Sequence, residues 1–270
     1  MNARQGGSSG LPASRRRHAI ATQARENGHV LIRELAPKLG VSEMTIRRDL
    51  EALESEKLLV RVRGGAYAGA ARSYEPPFLL RATHDIEAKQ RIGAAAAQLL
   101  DDGETAIIDG GTTALELARA LTGRDRLTVV TPSLLAANEL AREVGIRTFV
   151  TGGMIRHEEL SLIGPTAQEA FSAFNCDVAF LGIAGIDLDR GLTEYNLADA
   201  YVKRAMLDAA RRIIVLADHS KLGRVALAAV APLSRVDTIV SDAPASHPVL
   251  RAAVAAGVNV VGARTGEEAR

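Results

Sequence analysis

RELAPKLGVSEMTIRRDLEALESEKLLVRVRGGA, running from Arg33 to Ala66, decides the fold of the N-terminal part of this 270-residue chain. Ile32 to Leu39 reads as a short helix with Leu35, Ala36 and Leu39 on one face, ended by Gly40. Pro37 is expected early in that helix, where a first turn has no internal N–H bond to lose. Ser42 then stands as an N-cap, its oxygen placed to accept an orphan N–H of the first turn. Ile46, Leu50 and Leu53 recur at helical spacing and face inward, which leaves Met44, Thr45, Arg47 and Arg48 on the other faces. Leu58 to Tyr67 alternates around Gly64-Gly65 and reads as two short strands about a turn. Upstream, Arg15 to Asn27 is expected to be helical, closed by Asn27-Gly28, and Val30-Leu31 to form a short strand. Three helices, a tight turn and a two-stranded wing make a winged helix-turn-helix.

That shape points to DNA. The major groove admits one helix, and its base edges carry the sequence code. Arg47 and Arg48 can fork to guanine or clamp a phosphate, and Thr45 offers a hydroxyl and a methyl near the helix start. Arg61 and Arg63 alternate along the wing, within reach of phosphates or the minor groove. The alternative for Arg47-Arg48 is a solvated helix face with local pairs to Glu43, Asp49 or Glu51. Charge favours a polyanion: residues 1–72 hold 13 Lys+Arg against 7 Asp+Glu, whereas residues 73–270 hold 20 against 25.

The same stretch resembles the helix-turn-helix and wing of the DeoR family of bacterial transcription regulators. Ser42, Thr45, Ile46, Arg47, Arg48, Asp49, Leu50, Leu53, Glu54, Gly64, Gly65 and Ala66 carry the match. Arg63 stands where a His is common in that family. Taken together, the helix faces, the wing and the resemblance make Ser42, Met44, Thr45, Arg47, Arg48, Arg61, Arg63, Gly64 and Gly65 the expected DNA-binding set.

Beyond a Gly/Ser-rich tail (1–14), the head (15–67) and a linker containing Pro76-Pro77 (68–83), the pattern changes. A helix is expected from about His84 to Leu100. Short β-branched runs then recur at 105–109, 127–131, 147–151, 177–181, 212–216 and 237–241, most separated by Ala/Leu-rich helical segments. This is the signature of a parallel sheet covered by helices on both faces. Candidate ligand residues gather at the strand ends, where open α/β sheets bind their ligands. Asp109-Gly110-Gly111-Thr112-Thr113 follows one strand and opens a helix, so its backbone N–H groups and helix dipole suit a phosphate, although the same string also reads as a tight turn with a cap. Thr131 and Ser133, Gly152 and Gly153, Gly182, and Asp218 with Lys221 follow other strands. Lys203 lies within a helix and is either a partner for a ligand phosphate or an exposed charge.

This body resembles the C-terminal sensor of the DeoR family, whose fold is similar to ribose-5-phosphate isomerase and CoA-transferase domains; in all, the resemblance covers about residues 15–245. It implies an effector-binding and oligomerisation domain over 84–262, sensing a phosphorylated sugar or related metabolite. It also implies that Arg81, Lys89, Asp218 and Lys221 take part in the effector response, with Lys89 and Lys221 on ligand anions. Pro132 stands where the family commonly has Asn. The function expected is a sequence-specific regulator, a repressor of a carbohydrate-use operon released by a phosphorylated sugar. A single head makes few contacts, so a dimer or higher oligomer is expected on double-stranded operator DNA. The rival class is a sugar-phosphate isomerase-like enzyme carrying a DNA-binding head, and a third is a nucleoid-type binder.

Other classes fall away on composition and motifs. No apolar run approaches the ~20 residues of a membrane helix, and no apolar signal core opens the chain, so a cytoplasmic protein without membrane contact is expected. The single cysteine, Cys176, excludes an internal disulfide and reads as a small core-edge residue. The six histidines form no H-E-x-x-H, and there is neither a G-x-x-x-x-G-K-[ST] nor a G-x-G-x-x-G, so no metal and no cofactor are expected.

Overall fold

A computed structural model describes residues 11–27, 29–56, 58–68, 72–73 and 75–263. The chain divides into two compact units, Met1–His84 and Asp85–Arg270. Residues 1–10 of the expected tail, Gly28, and residues 69–71 and 74 of the expected linker lie outside the described residues.

The first unit contains α1 (Ala13–Asn27), β1 (His29–Leu31), α2 (Ile32–Leu39), α3 (Glu43–Ser55), β2 (Leu59–Val62), β3 (Gly65–Ala68) and α4 (Phe78–Thr83). Ala13 and Ser14 therefore belong to a helix rather than the tail, and the last residues of the segment read as a linker are helical. The inward stripe is as spaced in the sequence: Ile46, Leu50 and Leu53 are buried with Leu35, Ala36 and Ile20 in one core. The wing gains a third strand, because β1 pairs antiparallel with β3 beside β2. Gly65 permits this approach, since a Cβ there would meet the Val30 carbonyl oxygen at 2.1 Å. Pro37 sits in the last turn of α2, not the first. The helix ends just behind it, where Gly40 turns left-handed (φ 64°) and the N–H of Val41 reaches back to the Ala36 carbonyl at 3.1 Å.

The second unit runs α5 (Ile86–Ala97), β4 (Thr105–Ile108), α6 (Thr112–Ala120), β5 (Leu127–Thr131), α7 (Leu134–Leu140), β6 (Ile146–Val150), β7 (Met154–Arg156), β8 (Ser161–Ile163), α8 (Pro165–Phe171), β9 (Cys176–Gly182), β10 (Gly185–Asp187), β11 (Gly191–Glu194), α9 (Leu197–Asp208), β12 (Ala210–Leu216), β13 (Ala228–Ala231), β14 (Thr238–Ser241), α10 (Pro248–Ala255) and β15 (Asn259–Gly262). Seven strands form a parallel sheet in the order β15-β14-β12-β9-β4-β5-β6. Successive residues of its central strands point to opposite faces. Val178, Phe180, Ile214 and Leu216 pack with Ile92, Leu117 and Leu140, while Ala179, Leu181, Ile213 and Val215 pack with Phe171, Met206 and Leu250. Both faces are thus buried under helices, which is why these strands read as continuous apolar runs.

From β4 the chain moves outward through β5 to β6, then returns to the other side of β4 with β9 and continues through β12, β14 and β15. The winding reverses between β4 and β9, and a crevice is expected at that switch point, beyond the carboxyl ends of the strands. A hairpin of β7 and β8 and a small antiparallel sheet of β10, β11 and β13 complete the unit.

Candidate functional site

In the first unit the exposed face belongs to α3. Ser42 caps it, its Oγ accepting the Thr45 N–H at 3.2 Å and lying 2.9 Å from the Thr45 hydroxyl. Met44 is 59% exposed, an apolar side chain held in solvent at the helix start. Arg47 and Arg48 are both exposed. Arg47 touches Glu43 at 3.6 Å, an exposed pair of the kind that contributes little. Arg48 makes no ion pair among the described residues. The neighbouring Asp49 turns the other way: it is buried, and both its oxygens take the guanidinium of Arg16 on α1, at 2.5 and 3.2 Å. This pair braces α3 against α1, so Asp49 and Arg16 are structural although they sit in basic, motif-like strings.

The wing divides its arginines. Arg63 is exposed beside Gly64, whose φ of 90° makes the turn. Arg61, expected to reach for phosphates, has its guanidinium 3.1 Å from Glu51 and 3.7 Å from Glu54, both on α3, in partly exposed pairs. Gly65 is buried against Val30, a packing position rather than a contact surface. Arg81, on α4, pairs with Glu75 at 3.0 Å and donates to the Pro76 carbonyl at 2.9 Å.

In the second unit Asp109 and Gly182 meet across the switch point. Asp109 Oδ2 accepts the Gly182 N–H at 3.0 Å, and Oδ1 accepts the Gly110 N–H at 2.7 Å. Lys203 projects from α9 into the same place and is buried rather than an exposed helix charge. It pairs with Asp109, donates to the Gly182 carbonyl at 3.0 Å and lies 3.4 Å from Glu194. Burial works against its charge, but Asp109 and Glu194 outweigh that and hold the ammonium far above the usual lysine range. Next to this pair, Gly111 opens α6 with no side-chain cap, and Thr112 and Thr113 are buried in its first turn. A buried helix start whose orphan N–H groups lack a side-chain partner is suited to an anion.

Several strand-end residues are committed to local structure. The Thr131 hydroxyl accepts the Ser133 N–H at 3.0 Å, and the Ser133 hydroxyl caps α7 through Ala136 at 3.2 Å. Gly152 and Gly153 have φ of 78° and 118°, and a Cβ on Gly153 would meet the Ile163 carbonyl oxygen at 2.7 Å, so both serve the entry into the β7–β8 hairpin.

After β12, Asp218 caps the turn His219–Lys221 through Ser220. Burial pushes the Asp218 carboxyl up, but Lys221, the Ser220 bonds and Lys89 together hold it below the ordinary carboxylate range. Lys89, from α5, is buried, so the sequence-named trio of Lys89, Asp218 and Lys221 gathers at one strand end. Asp85, Asp218 and His219 bring ligand atoms within 4.8 Å of one another, but the protein's own lysines attend that acid cluster. Burial, and then Asp177, push the Cys176 thiol up to about 11, as befits an inert core-edge residue.

Sequence reasoning missed the hairpin and what it carries. Ser161 on β8 lies against Gly110 and pairs with Ser133, and Leu162 N–H donates to the Pro132 carbonyl at 2.7 Å. Arg156 on β7 stands opposite Ser161 in the ladder and bonds Asp199 on α9 at 2.5 Å. The string Met154-Ile-Arg-His-Glu-Glu-Leu-Ser-Leu-Ile163 has no clean alternation. Its only signal was an arginine just after a strand-end glycine pair.

An exposed arginine-bearing helix on a winged scaffold, joined to a parallel α/β body whose winding reverses between β4 and β9, fits a DNA-binding regulator with a ligand-sensing body. Residues 16–70 match the DeoR-like helix-turn-helix domain and residues 84–243 the DeoR C terminal sensor domain. The chain is 34% identical to the glycerol-3-phosphate regulon repressor of Escherichia coli K12, over 89% of this chain and 95% of that one. It is also 34% identical to the HTH-type transcriptional repressor GlcR of Bacillus subtilis, over 83% and 86%. A ribose 5-phosphate isomerase from Methanocaldococcus jannaschii is similar at 19% identity over 51% of this chain and 55% of that one, with a TM-score of 0.38. The chain belongs to the DeoR family of transcriptional regulators. Among the described residues, no helix is long and apolar enough to cross a membrane.

Proposed function

We propose that the protein represses a carbohydrate-use operon and is released from double-stranded operator DNA by a phosphorylated sugar or related metabolite. Met44, Thr45, Arg47 and Arg48 read the major groove, Arg63 meets the backbone beside it, and Ser42 sets the helix start. Two or more copies of the chain supply heads to spaced half-sites, because one head makes too few contacts for strong specificity. In the body, the phosphate sits on Gly110 to Thr113 at the start of α6, and Lys89, Asp218 and Lys221 line the neighbouring strand end. Arg81 is left out of the ligand set because its guanidinium is engaged by Glu75 and Pro76.

The observation that carries the sensor half is the buried, side-chain-uncapped start of α6 at the topological switch point. Two relatives named as repressors, one of them of a glycerol-3-phosphate regulon, support repression rather than activation. A regulator is favoured over an isomerase because the body is attached to a DNA-binding head, which a metabolic isomerase does not need, and because the named relatives are repressors.

The test is an anisotropy titration of full-length protein on the DNA upstream of its own gene and of neighbouring operons. It uses competitor DNA, fixed salt and a panel of sugar phosphates, because phosphate contacts make affinity steeply salt-dependent. Specific binding reversed by a phosphorylated compound is expected. Turnover of a sugar phosphate without sequence preference on any of these DNAs contradicts the proposal.

A further inference from the structure

The switch point is acid-rich, and this constrains how it could take an anion. Lys203 is shared by Asp109 and Glu194, with Asp199 one turn earlier on the same helix also acting on it. A cation so attended is a poor receptor for a phosphate. Arg156 differs. It lies on the β7–β8 hairpin, with its side chain only 11% exposed. Its Nη1 donates to Asp199 Oδ2 at 2.5 Å, its Nε makes a loose contact of 4.0 Å with the well-exposed Glu158 carboxylate, and the other oxygen of Asp199 lies 3.5 Å from the Ser161 hydroxyl, at the outer limit of a hydrogen bond. Ser161 is the residue that faces Gly110, since a Cβ on Gly110 would lie 3.4 Å from its Cβ. The Arg156–Asp199 pair is therefore one side chain away from the loop that opens α6.

We infer that Arg156 is an effector-binding residue: it exchanges Asp199 for the phosphate group of the ligand at the Gly110–Thr113 loop. This rests on the reading that the loop is the effector's anion site. The exchange is chemically apt. A carboxylate and a phosphate both present two oxygens to the guanidinium fork, so the arm that holds Asp199 fits a phosphate without being rebuilt. The phosphate adds more charge than the carboxylate it displaces, about −1.5 to −2 near neutral pH, and it also reaches the α6 N–H groups. Asp199, once released, still faces Lys203 across one helical turn. The hairpin is tied by backbone to the β5 end through Leu134 N–H to the Leu160 carbonyl at 2.9 Å, so the arginine is carried by a positioned element. A neutral sugar has no charge with which to displace Asp199, which makes Arg156 a selector for phosphorylated over unphosphorylated compounds.

Calorimetric titration of the full-length protein with inorganic phosphate, the sugar-phosphate panel and the corresponding free sugars tests this. The variants are Arg156→Ala, Arg156→Lys, Asp199→Asn and Lys221→Ala. For whichever phosphorylated probe binds, Arg156→Ala is expected to weaken binding about tenfold or more, which is ~1.4 kcal/mol. Arg156→Lys falls between it and the wild type, and Asp199→Asn binds tighter, because the competing carboxylate charge is gone. The opposite signs separate a ligand switch from a brace. Weaker binding in both Arg156→Ala and Asp199→Asn overturns the inference, and if Arg156→Ala fails to fold, Arg156→Lys and Asp199→Asn decide it alone. Wild-type affinity in Arg156→Ala with loss in Lys221→Ala also overturns it while leaving the effector reading in place. A wild type that binds neither phosphate nor any panel compound overturns both.

Discussion

In the head, Arg47 and Arg48 stand in solvent, with one loose contact to Glu43 between them; in the body, Lys203 is buried and shared by Asp109 and Glu194. The two regions hold cations for opposite ends. An exposed, weakly paired arginine surrenders nothing when it meets DNA phosphate, so its whole charge is available for binding. A buried, fully partnered lysine contributes shape and order, and removing it leaves carboxylates stranded out of water. The comparison also sorts neighbours in sequence: Arg48 faces solvent, whereas Asp49, the next residue, is locked to Arg16 in the core of the head.

Breaking the buried side gives the largest effect. Lys203→Met should destabilise the body by about 3–5 kcal/mol, the usual cost of orphaning a buried charge, read as a lower urea midpoint. A loss near zero would mean that the pair is wetter than its burial indicates. On the exposed side, Arg47→Ala with Arg48→Ala should leave that midpoint almost unmoved. Operator affinity should instead fall by ~1–3 kcal/mol for each side chain that reads a base, followed by anisotropy at fixed salt. Arg61→Ala sharpens the contrast within the head. Because Glu51 and Glu54 hold its guanidinium, it should cost operator binding clearly less than Arg48→Ala, and an equal loss would show that the wing arginine swings out on DNA.

The smallest effect concerns His219, which bonds Asp242 at 3.0 Å and lies 3.8 Å from Asp85. Burial lowers its affinity for a proton, but the Asp242 bond and charge, and then Asp85 and Asp218, raise it above the ordinary histidine value. A group with a raised folded value stabilises the fold below its unfolded pKa of ~6.5 and loses that contribution as pH rises through the folded value. At this exposure it is worth well under ~1 kcal/mol. Thermal melts of wild type and His219→Asn should therefore differ slightly at pH 5.5 and converge by pH 8.

Periodicity made most of this legible. Ile46, Leu50 and Leu53 mark the inner face of α3, and six of the seven sheet strands announced themselves as β-branched runs, because strands buried on both faces leave a continuous apolar signal. The seventh, Asn259–Gly262, is a half-exposed edge strand with no such signal. Pairings across the chain were beyond reach. Nothing in Arg61 predicts that α3 carboxylates hold it, and nothing in Lys203 predicts that Asp109, 94 residues away, buries it. Arg156 and Asp199 were invisible for the same reason: a hairpin of short strands carries too little pattern to show which side chain it delivers to the crevice.

The most direct test of the account is reciprocity between the units. The affinity of the full-length protein for its phosphorylated effector would be measured with and without saturating operator DNA, beside the affinity for operator with and without effector. The account predicts that each ligand weakens the other by the same factor, because both act on one shared equilibrium. Effector binding with an affinity that operator leaves unchanged would contradict it.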